Sequence, residues 1–489
     1  MSDWIANAWS TLSALTPTQK ATATIAVFGV DAWAVARAVA RGHGVQGTLA
    51  WIFAILAFPV FGAASFFLFA SPSVKRVALK KRRAAAQVRR SLRVGVPAGE
   101  SELEAGDSLV DLAVALTGLA PTAGNHLELL TEDAPTFDRI SAAIMGARRF
   151  VWAEYYIIRN DETGRRFLAL LHERAKEGVE VRLLFDALGS MAINARFLRA
   201  IAEAGGQTRA FQPMNPLRRR VAVHLRNHRK LIVVDGAVGF TGGMNVGDEY
   251  SGRRRRRGAQ TFRDSHLELR GPAVRSLAQT FVEDWAFAGG GTLPVPRAPE
   301  PAASSGSLVA IVPSGPDQEH NASAMVHFAG IASARRRVYL TSPYFIPDES
   351  TLSALVSAAL RRVDVRILLP ARARSDVKLA AFAALSYYGK LLRGGVRIYE
   401  FEPAMLHAKT LVVDGQVAVV GSANVDIRSF RLNFEIGALV TGPEFAGKLE
   451  RRFVRDLASA REVTLDDLAR MSRFTRVCST LARLLSPIL

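Results

Sequence analysis

HRKLIVVDGAVGFTGGMN, residues 228–245, returns further along the chain as HAKTLVVDGQVAVVGSAN, residues 407–424. Aligned without gaps, the two segments share His, Lys, Val-Val, Asp-Gly, Val, Gly and Asn, and duplication of a whole domain is the natural explanation. In a strand, residues two apart point to the same face, so His228 and Lys230 should emerge together, as should His407 and Lys409. The apolar runs LIVV and TLVV carry each strand into a core. Asp235-Gly236 and Asp414-Gly415 read as hairpin turns. Each returning strand ends at Gly242-Gly243-Met244-Asn245 or Gly421-Ser422-Ala423-Asn424, back beside its histidine. Small residues there let backbone approach a ligand closely.

Each half thus offers a histidine, a lysine and an asparagine at one place, a set that suits a phosphoryl group. Lysine neutralises phosphate oxygens as a point charge, and an asparagine amide donates hydrogen bonds to them. A histidine can attack phosphorus, or give and take a proton near neutral pH. Two such sets facing each other supply one nucleophile and one acid/base. This chemistry needs no metal or other cofactor, and no metal-ligand spacing such as H-E-x-x-H is present.

The surrounding pattern repeats too. RRFVWAEYYII (148–158), RRFLALLHERAKEG (165–178) and VEVRLLFDALGS (179–190) read as strand, helix and strand, a βαβ unit. RRRVYLTSPYFI (335–346), STLSALVSAALRR (350–362) and VDVRILLP (363–370) give the same order in the second half. Between the halves lies GGGTLPVPRAPEPAASSGS (289–307), a linker by composition. The organisation expected is a membrane anchor at 1–75, a basic and polar connector at 76–120, one α/β domain at 121–288, the linker at 289–307 and a second α/β domain at 308–489.

The anchor reading rests on GTLAWIFAILAFPVFGAASFFLFASPSV, residues 47–74, which carries no charge and is long enough for a membrane span. Pro59 lies mid-span, where a membrane helix tolerates it. Lys75, Arg76, Lys80, Lys81, Arg82 and Arg83 follow, which places this side in the cytoplasm. Ala21–Ala40 is a weaker span, because Asp31 and Arg37 are expensive at membrane depth; it would be the first arm of a hairpin or an interfacial helix. The 489 residues carry a formal net charge of +19, which calls for an anionic partner, nucleic acid or an anionic lipid surface. Cys478 is the single cysteine, so no internal disulfide forms.

H-x-K-x-x-x-x-D followed by G-[GS]-x-N, present twice, resembles the signature of the phospholipase D superfamily. RNHRKLIVVDG, GFTGGMNVGDEY, FRDSHLELRGPAV, FVEDW, SPYFIPD, LHAKTLVVDG, GSANVDIRSFRLNFE and the tail RLLSPIL resemble its bacterial cardiolipin synthase branch. The resemblance implies two pseudo-symmetric phospholipase D-like α/β domains, each a mixed sheet flanked by helices, behind an N-terminal transmembrane segment or hairpin. It implies transfer of a phosphatidyl group between two phosphatidylglycerols, giving cardiolipin and glycerol, at the cytoplasmic face of the bacterial inner membrane. His228 would be the nucleophile and His407 the acid/base, with Lys230, Lys409 and the motif aspartates Asp235 and Asp414 in the catalytic set. The aspartates read better as structural, tying down the turns. Asn245, Ser422 and Asn424 would bind the substrate phosphate. Asp264 in FRDSH and Glu435 in LNFE would orient the histidines through their other ring nitrogen. The partners implied are anionic phospholipid and the membrane, without nucleic acid.

Two departures stand out: Phe262 occupies a place where the family usually has Trp, and an insertion-like run lies at Arg253–Arg257. That run and Arg218–Arg220 could bind anionic headgroups or be solvated loop charge. His224 and His266 read as hydrogen-bonding residues of the core or rim. The competing functions are a hydrolase that uses water as acceptor and a non-catalytic scaffold that binds anionic lipid.

Overall fold

The structure is a computed structural model. It describes residues 16–40, 44–69, 73–93, 108–131, 133–212, 225–252, 261–301 and 307–484. His224, Arg218–Arg220 and Arg253–Arg257 lie outside these. The chain divides into two compact units, Met1–Val77 and Ala78–Leu489.

In the first unit the helix Pro17–Ala40 is a single 24-residue element. Among the described residues it alone is long and apolar enough to cross a membrane, with a mean hydropathy of 1.5 in its best window. This corrects the expectation that residues 47–74 form the main span and 21–40 the lesser one. The later stretch breaks into two helices, Gly44–Ala57 and Phe61–Phe69. The cause is Pro59, which has no N–H to continue the ladder, followed by Val60 at φ 67°. The second helix then folds back tightly, since a Cβ on Gly62 would lie 2.2 Å from the Ala54 carbonyl oxygen. The Val60 N–H freed by the break donates to Asp31 Oδ1 at 3.2 Å. An acidic residue that looked costly in an apolar helix therefore satisfies a backbone donor that would otherwise be orphaned.

The second unit is built on one 15-stranded sheet that runs through both halves. Outward from the centre, the first half runs Thr122–Leu130, His266–Arg270, Val238–Gly242, Leu231–Val234, Phe150–Tyr155, Glu180–Asp186 and Gln207–Phe211. The second half repeats that order with Ser307–Ser314, Glu435–Thr441, Val417–Gly421, Thr410–Val413, Arg337–Thr341, Asp364–Pro370 and Arg397–Phe401, and adds the edge strand Ala460–Val463. The halves meet where Thr122–Leu130 pairs antiparallel with Ser307–Ser314. The βαβ crossovers give parallel pairs, such as Phe150–Tyr155 on Glu180–Asp186. The hairpins give antiparallel ones, such as Leu231–Val234 on Val238–Gly242. LIVV and TLVV are buried at every position, as strands covered by helices on both faces require.

The expected connector is not featureless. Helix Ser73–Arg93 runs into it, and helix Ser108–Thr117 buries Leu109, Val110 and Ala113 in the core of the second half. Residues 290–301, within the linker, carry no helix or strand.

Candidate active site

The motif hairpins turn on Asp235 and Asp414, both in the left-handed region at φ 54° and 55°. The Asp235 carboxylate accepts the backbone N–H groups of Arg148, Arg149 and Phe150, each at 2.8 Å. Asp414 does the same for Arg335, Arg336 and Arg337 at 2.9, 2.7 and 2.9 Å. Their oxygens are used at the turn, at the far end of the strand from the histidine. Burial pushes the Asp414 carboxyl up, but its three backbone donors more than offset this and hold it below the usual range. Asp414→Ala should therefore destabilise the catalytic unit by about 1–3 kcal/mol, since charged hydrogen bonds are lost at a site that water still reaches. Urea unfolding followed by tryptophan fluorescence checks this, with the turnover of the folded fraction little changed. The contribution is present above the ordinary aspartate pKa and fades as pH falls through the lower folded value.

The strands begin one residue beyond each lysine, at Leu231 and Thr410. His228, Lys230, His407 and Lys409 stand in the extended segments just before, and these pair with the other half. The His228 N–H donates to the Phe434 carbonyl at 2.8 Å, and the His407 N–H donates to the Arg263 carbonyl at 2.8 Å. Met405 and Leu406 run parallel to Phe262 and Arg263. Each histidine is thereby set beside the residue that follows its backbone partner. His228 Nδ1 lies 2.9 Å from Glu435 Oε2, and His407 Nδ1 lies 2.6 Å from Asp264 Oδ2. Each half supplies the carboxylate for the histidine of the other.

Both histidines line one cavity of about 340 Å³, together with Asn245, Asn424, Tyr156 and Tyr250. Tyr156 packs edge-on against the His228 ring at 4.8 Å between centroids, and Tyr250 against His407 at 5.3 Å. Phe262, the departure noted in the sequence, lies against His407 at 5.3 Å and also lines the cavity. Lys230, Lys409 and Ser422 stand one layer back. Lys230 Nζ donates to the His228 carbonyl at 2.6 Å. Lys409 Nζ donates to the His407 carbonyl and lies against the ring, 2.7 Å from His407 Nδ1 and 3.1 Å from Nε2. Ser422 Oγ donates to Glu435 Oε2 at 2.5 Å and accepts from the Ile436 N–H at 3.0 Å, so it orients the carboxylate. Asn245 receives the Ile157 N–H at 3.2 Å and donates to Tyr250 Oη at 3.0 Å, while Asn424 donates to Asp426 Oδ2 at 3.1 Å. His266 is fully buried under Gly242 and does not reach the cavity.

Burial pushes both histidines down to about 4, against the opposing pull of Glu435 and Asp264; Lys230 and Lys409 add to the depression. The resting imidazoles are neutral. Burial would push Asp264 and Glu435 up, but the adjacent lysine and histidine outweigh it and both stay ionised. Burial lowers Lys409 to about 8 and takes Lys230 well below its ordinary value. Burial raises Asp426, on the cavity wall, to about 6. Neutral Nε2 atoms backed by ionised carboxylates can act as nucleophile or proton carrier.

A second layer went unread in the sequence. Arg229, between the motif histidine and lysine, donates through Nε to the Glu435 carbonyl at 2.9 Å and through Nη1 to Asp284. Asp284 also pairs with Lys81 at 2.6 Å, a contact within the second unit. All three are almost fully buried. An Arg inside the motif and an Asp in FVEDW, among apolar neighbours, were the available signals, because a buried charge requires a partner. Arg226, on the cavity wall, reaches Asp186 at 3.4 Å.

Among the described residues, no group of three or more His, Cys, Asp or Glu could hold a metal.

The family model described as cardiolipin synthase, PLD-like domain, matches residues 140–285 and 328–457. Cardiolipin synthase A of Pseudomonas putida (strain W619) is 38% identical over 463 residues, covering 93% of this chain and 95% of that protein. The cardiolipin synthase of Geobacillus sp. (strain WCH70) is 40% identical over 364 residues, covering 74% and 72%. Among solved structures, phosphatidylserine synthase from Haemophilus influenzae Rd KW20 superposes with a TM-score of 0.60 at 15% identity, covering 78% of this chain and all of that one. At that identity the likeness is one of fold.

Proposed function

The chain belongs to the cardiolipin synthase family of phospholipase D-like proteins, and from that premise we propose that it transfers a phosphatidyl group from one phosphatidylglycerol to another through a phosphatidyl-histidine. The observation that carries this reading is the pair of histidines in one cavity, each with Nδ1 against a carboxylate from the opposite half.

In the first step His228 Nε2 attacks the donor phosphorus and the bond to the headgroup glycerol breaks. The phosphate's negative charge raises the His407 pKa on entering the cavity, so His407 takes up a proton from water as the donor binds, and the departing glycerol oxygen takes that proton. Glu435 stabilises the positive charge that develops on His228. In the second step the headgroup hydroxyl of another phosphatidylglycerol gives its proton to His407. Its oxygen forms the new bond to phosphorus, and the bond to His228 breaks. Cardiolipin and glycerol leave, His407 returns its proton to water, and both histidines are back in their starting state. Lys230 and Lys409 act on the phosphate as charges set behind the imidazoles, while Asn245 and Asn424 border it directly.

The acceptor is tested by products. Full-length protein in detergent micelles of phosphatidylglycerol should release cardiolipin and glycerol in equal amounts. Phosphatidic acid in place of cardiolipin would make the protein a hydrolase, and absence of turnover would make it a scaffold. The apolar helix Pro17–Ala40 supports a membrane location. The basic run through Lys80, Arg82 and Arg83 supports placement of the catalytic unit on the cytoplasmic side of the inner membrane.

A further inference from the structure

The C-terminal helix Arg473–Leu484 carries more apolar surface than the fold covers. Ser479 and Ala482 are its buried side chains, on the side that packs against helix Lys378–Arg393. Phe474, Val477, Leu481 and Leu484 are 75, 57, 56 and 72% exposed. Their spacing of three, four and three residues places them on one stripe. At about 100° per residue, Arg473, Arg476 and Arg483 fall on the neighbouring arc. Arg476 donates to the Ala469 carbonyl at 2.5 Å, and Arg483 lies over the Tyr387 ring at 5.4 Å. Among the described residues none of these three guanidinium groups is in an ion pair, so their charge is uncompensated.

This face is continuous with the catalytic cavity. Val377 and Ala380, at the start of helix Lys378–Arg393, line the cavity. Lys378 and Phe382, on the same turn, line a separate groove of about 860 Å³, which Arg470 and Phe474 also line. Val377 and Leu379 are exposed between the two. Apolar side chains thus run from the mouth of the cavity to the C-terminal stripe, with Lys378 and Arg470 alongside; the carboxylates Glu400 and Asp467 in the same groove are paired with Arg461, and Glu402 also lines it.

We propose that this face docks the catalytic unit on an anionic bilayer, with the stripe of Phe474, Val477, Leu481 and Leu484 inserted at headgroup depth and the arginines on lipid phosphates. An apolar stripe beside uncompensated arginines matches an interfacial helix on anionic lipid. A second copy would meet it with the same positive charges, and self-association would set arginine against arginine. The docked face brings the cavity mouth to the surface where a lipid substrate resides; only this last point rests on the reading of the substrate given above.

The test uses full-length protein reconstituted in vesicles. Cys478→Ser removes the single native thiol, and Leu481→Cys carries an environment-sensitive fluorophore. In vesicles of phosphatidylcholine with phosphatidylglycerol, the emission should shift to the blue and be quenched by doxyl-labelled lipid. In phosphatidylcholine alone the quenching should fall about threefold or more, because the anionic charge is missing. Emission typical of water in both membranes would overturn the proposal, as would a blue shift that doxyl lipid does not quench, the signature of a protein partner or second copy. This readout is independent of turnover and stands even if the chain makes no cardiolipin. In a second arm, Phe474→Ser, Val477→Ser, Leu481→Ser and Leu484→Ser are combined. The variant should lose about tenfold in turnover of bilayer phosphatidylglycerol while keeping its rate on a monomeric short-chain phosphatidylglycerol. Equal loss on both substrates, or loss on neither, would count against it.

Discussion

His228→Ala is expected to abolish both phosphatidyl transfer and formation of any covalent lipid adduct, because it removes the nitrogen that attacks phosphorus. His407→Ala should block turnover as well, since glycerol would have to leave unprotonated. The two variants part on a donor with a good leaving group. With a p-nitrophenyl phosphatidyl ester no acid is needed, so His407→Ala should still give one burst of p-nitrophenolate and retain the lipid on His228. General-acid assistance is worth about 10²–10⁴-fold, so this bypass is measurable against the loss on phosphatidylglycerol. Its pH dependence follows from the depressed histidine. Only neutral imidazole attacks, and burial holds His228 at about 4. The second-order rate constant of the burst, which reports the unliganded enzyme, should therefore persist well below the ordinary histidine pKa and fail only as pH falls toward 4. Labelled lipid trapped on His407 in the His228→Ala protein, with none on His228 in the converse variant, would exchange the two roles. Full activity in either single variant would overturn the two-histidine mechanism.

The second large effect concerns the crossed carboxylates. Glu435→Gln and Asp264→Asn should each lower turnover by about 10²–10⁴-fold, because the imidazole loses the partner that fixes its tautomer and stabilises its cation. Which step suffers depends on the crossing. Glu435 lies in the second half but touches His228 at 2.9 Å, so Glu435→Gln should slow adduct formation even with the activated donor. Asp264 lies in the first half but touches His407 at 2.6 Å, so Asp264→Asn should spare the activated burst and slow glycerol release and the second transfer. The opposite pattern would show that each carboxylate serves the histidine of its own half in solution. Arg229 ties into the same arrangement by holding the Glu435 carbonyl at 2.9 Å, which fixes the start of the strand that carries the carboxylate.

The N-terminal unit shows where sequence reading went astray and why. An uncharged stretch looked like the better span, and one carrying Asp31 looked like the poorer. Hydropathy sums over a window and does not see that one proline ends a helix. Pro59 breaks the uncharged stretch, and Asp31 receives the N–H that the break releases. The acidic residue and the Val60 N–H that the proline break frees answer each other 29 positions apart. Ser422 is a similar case. Its motif position suggested phosphate contact, yet its hydroxyl is taken up by Glu435.

The sequence by itself determined the local chemistry: the doubled His, Lys and Asn, the Asp-Gly turns, the buried strands and the βαβ order. These depend on residues near one another in the chain, where strand periodicity and turn preference act directly. The resemblance also pointed to Asp264 and Glu435 as carboxylates that would face the histidines, and each lies against one of them. Only the tertiary structure decided which histidine each one serves. That assignment rests on the His228 segment lying beside Phe434 and the His407 segment beside Arg263, contacts that span 206 and 144 positions of the chain. The same holds for Lys81, Asp284 and Arg229, three buried charges from distant segments that are affordable only together. Periodicity cannot report such pairings, because they are fixed by how two half-sheets meet and by the requirement that every buried charge find its opposite.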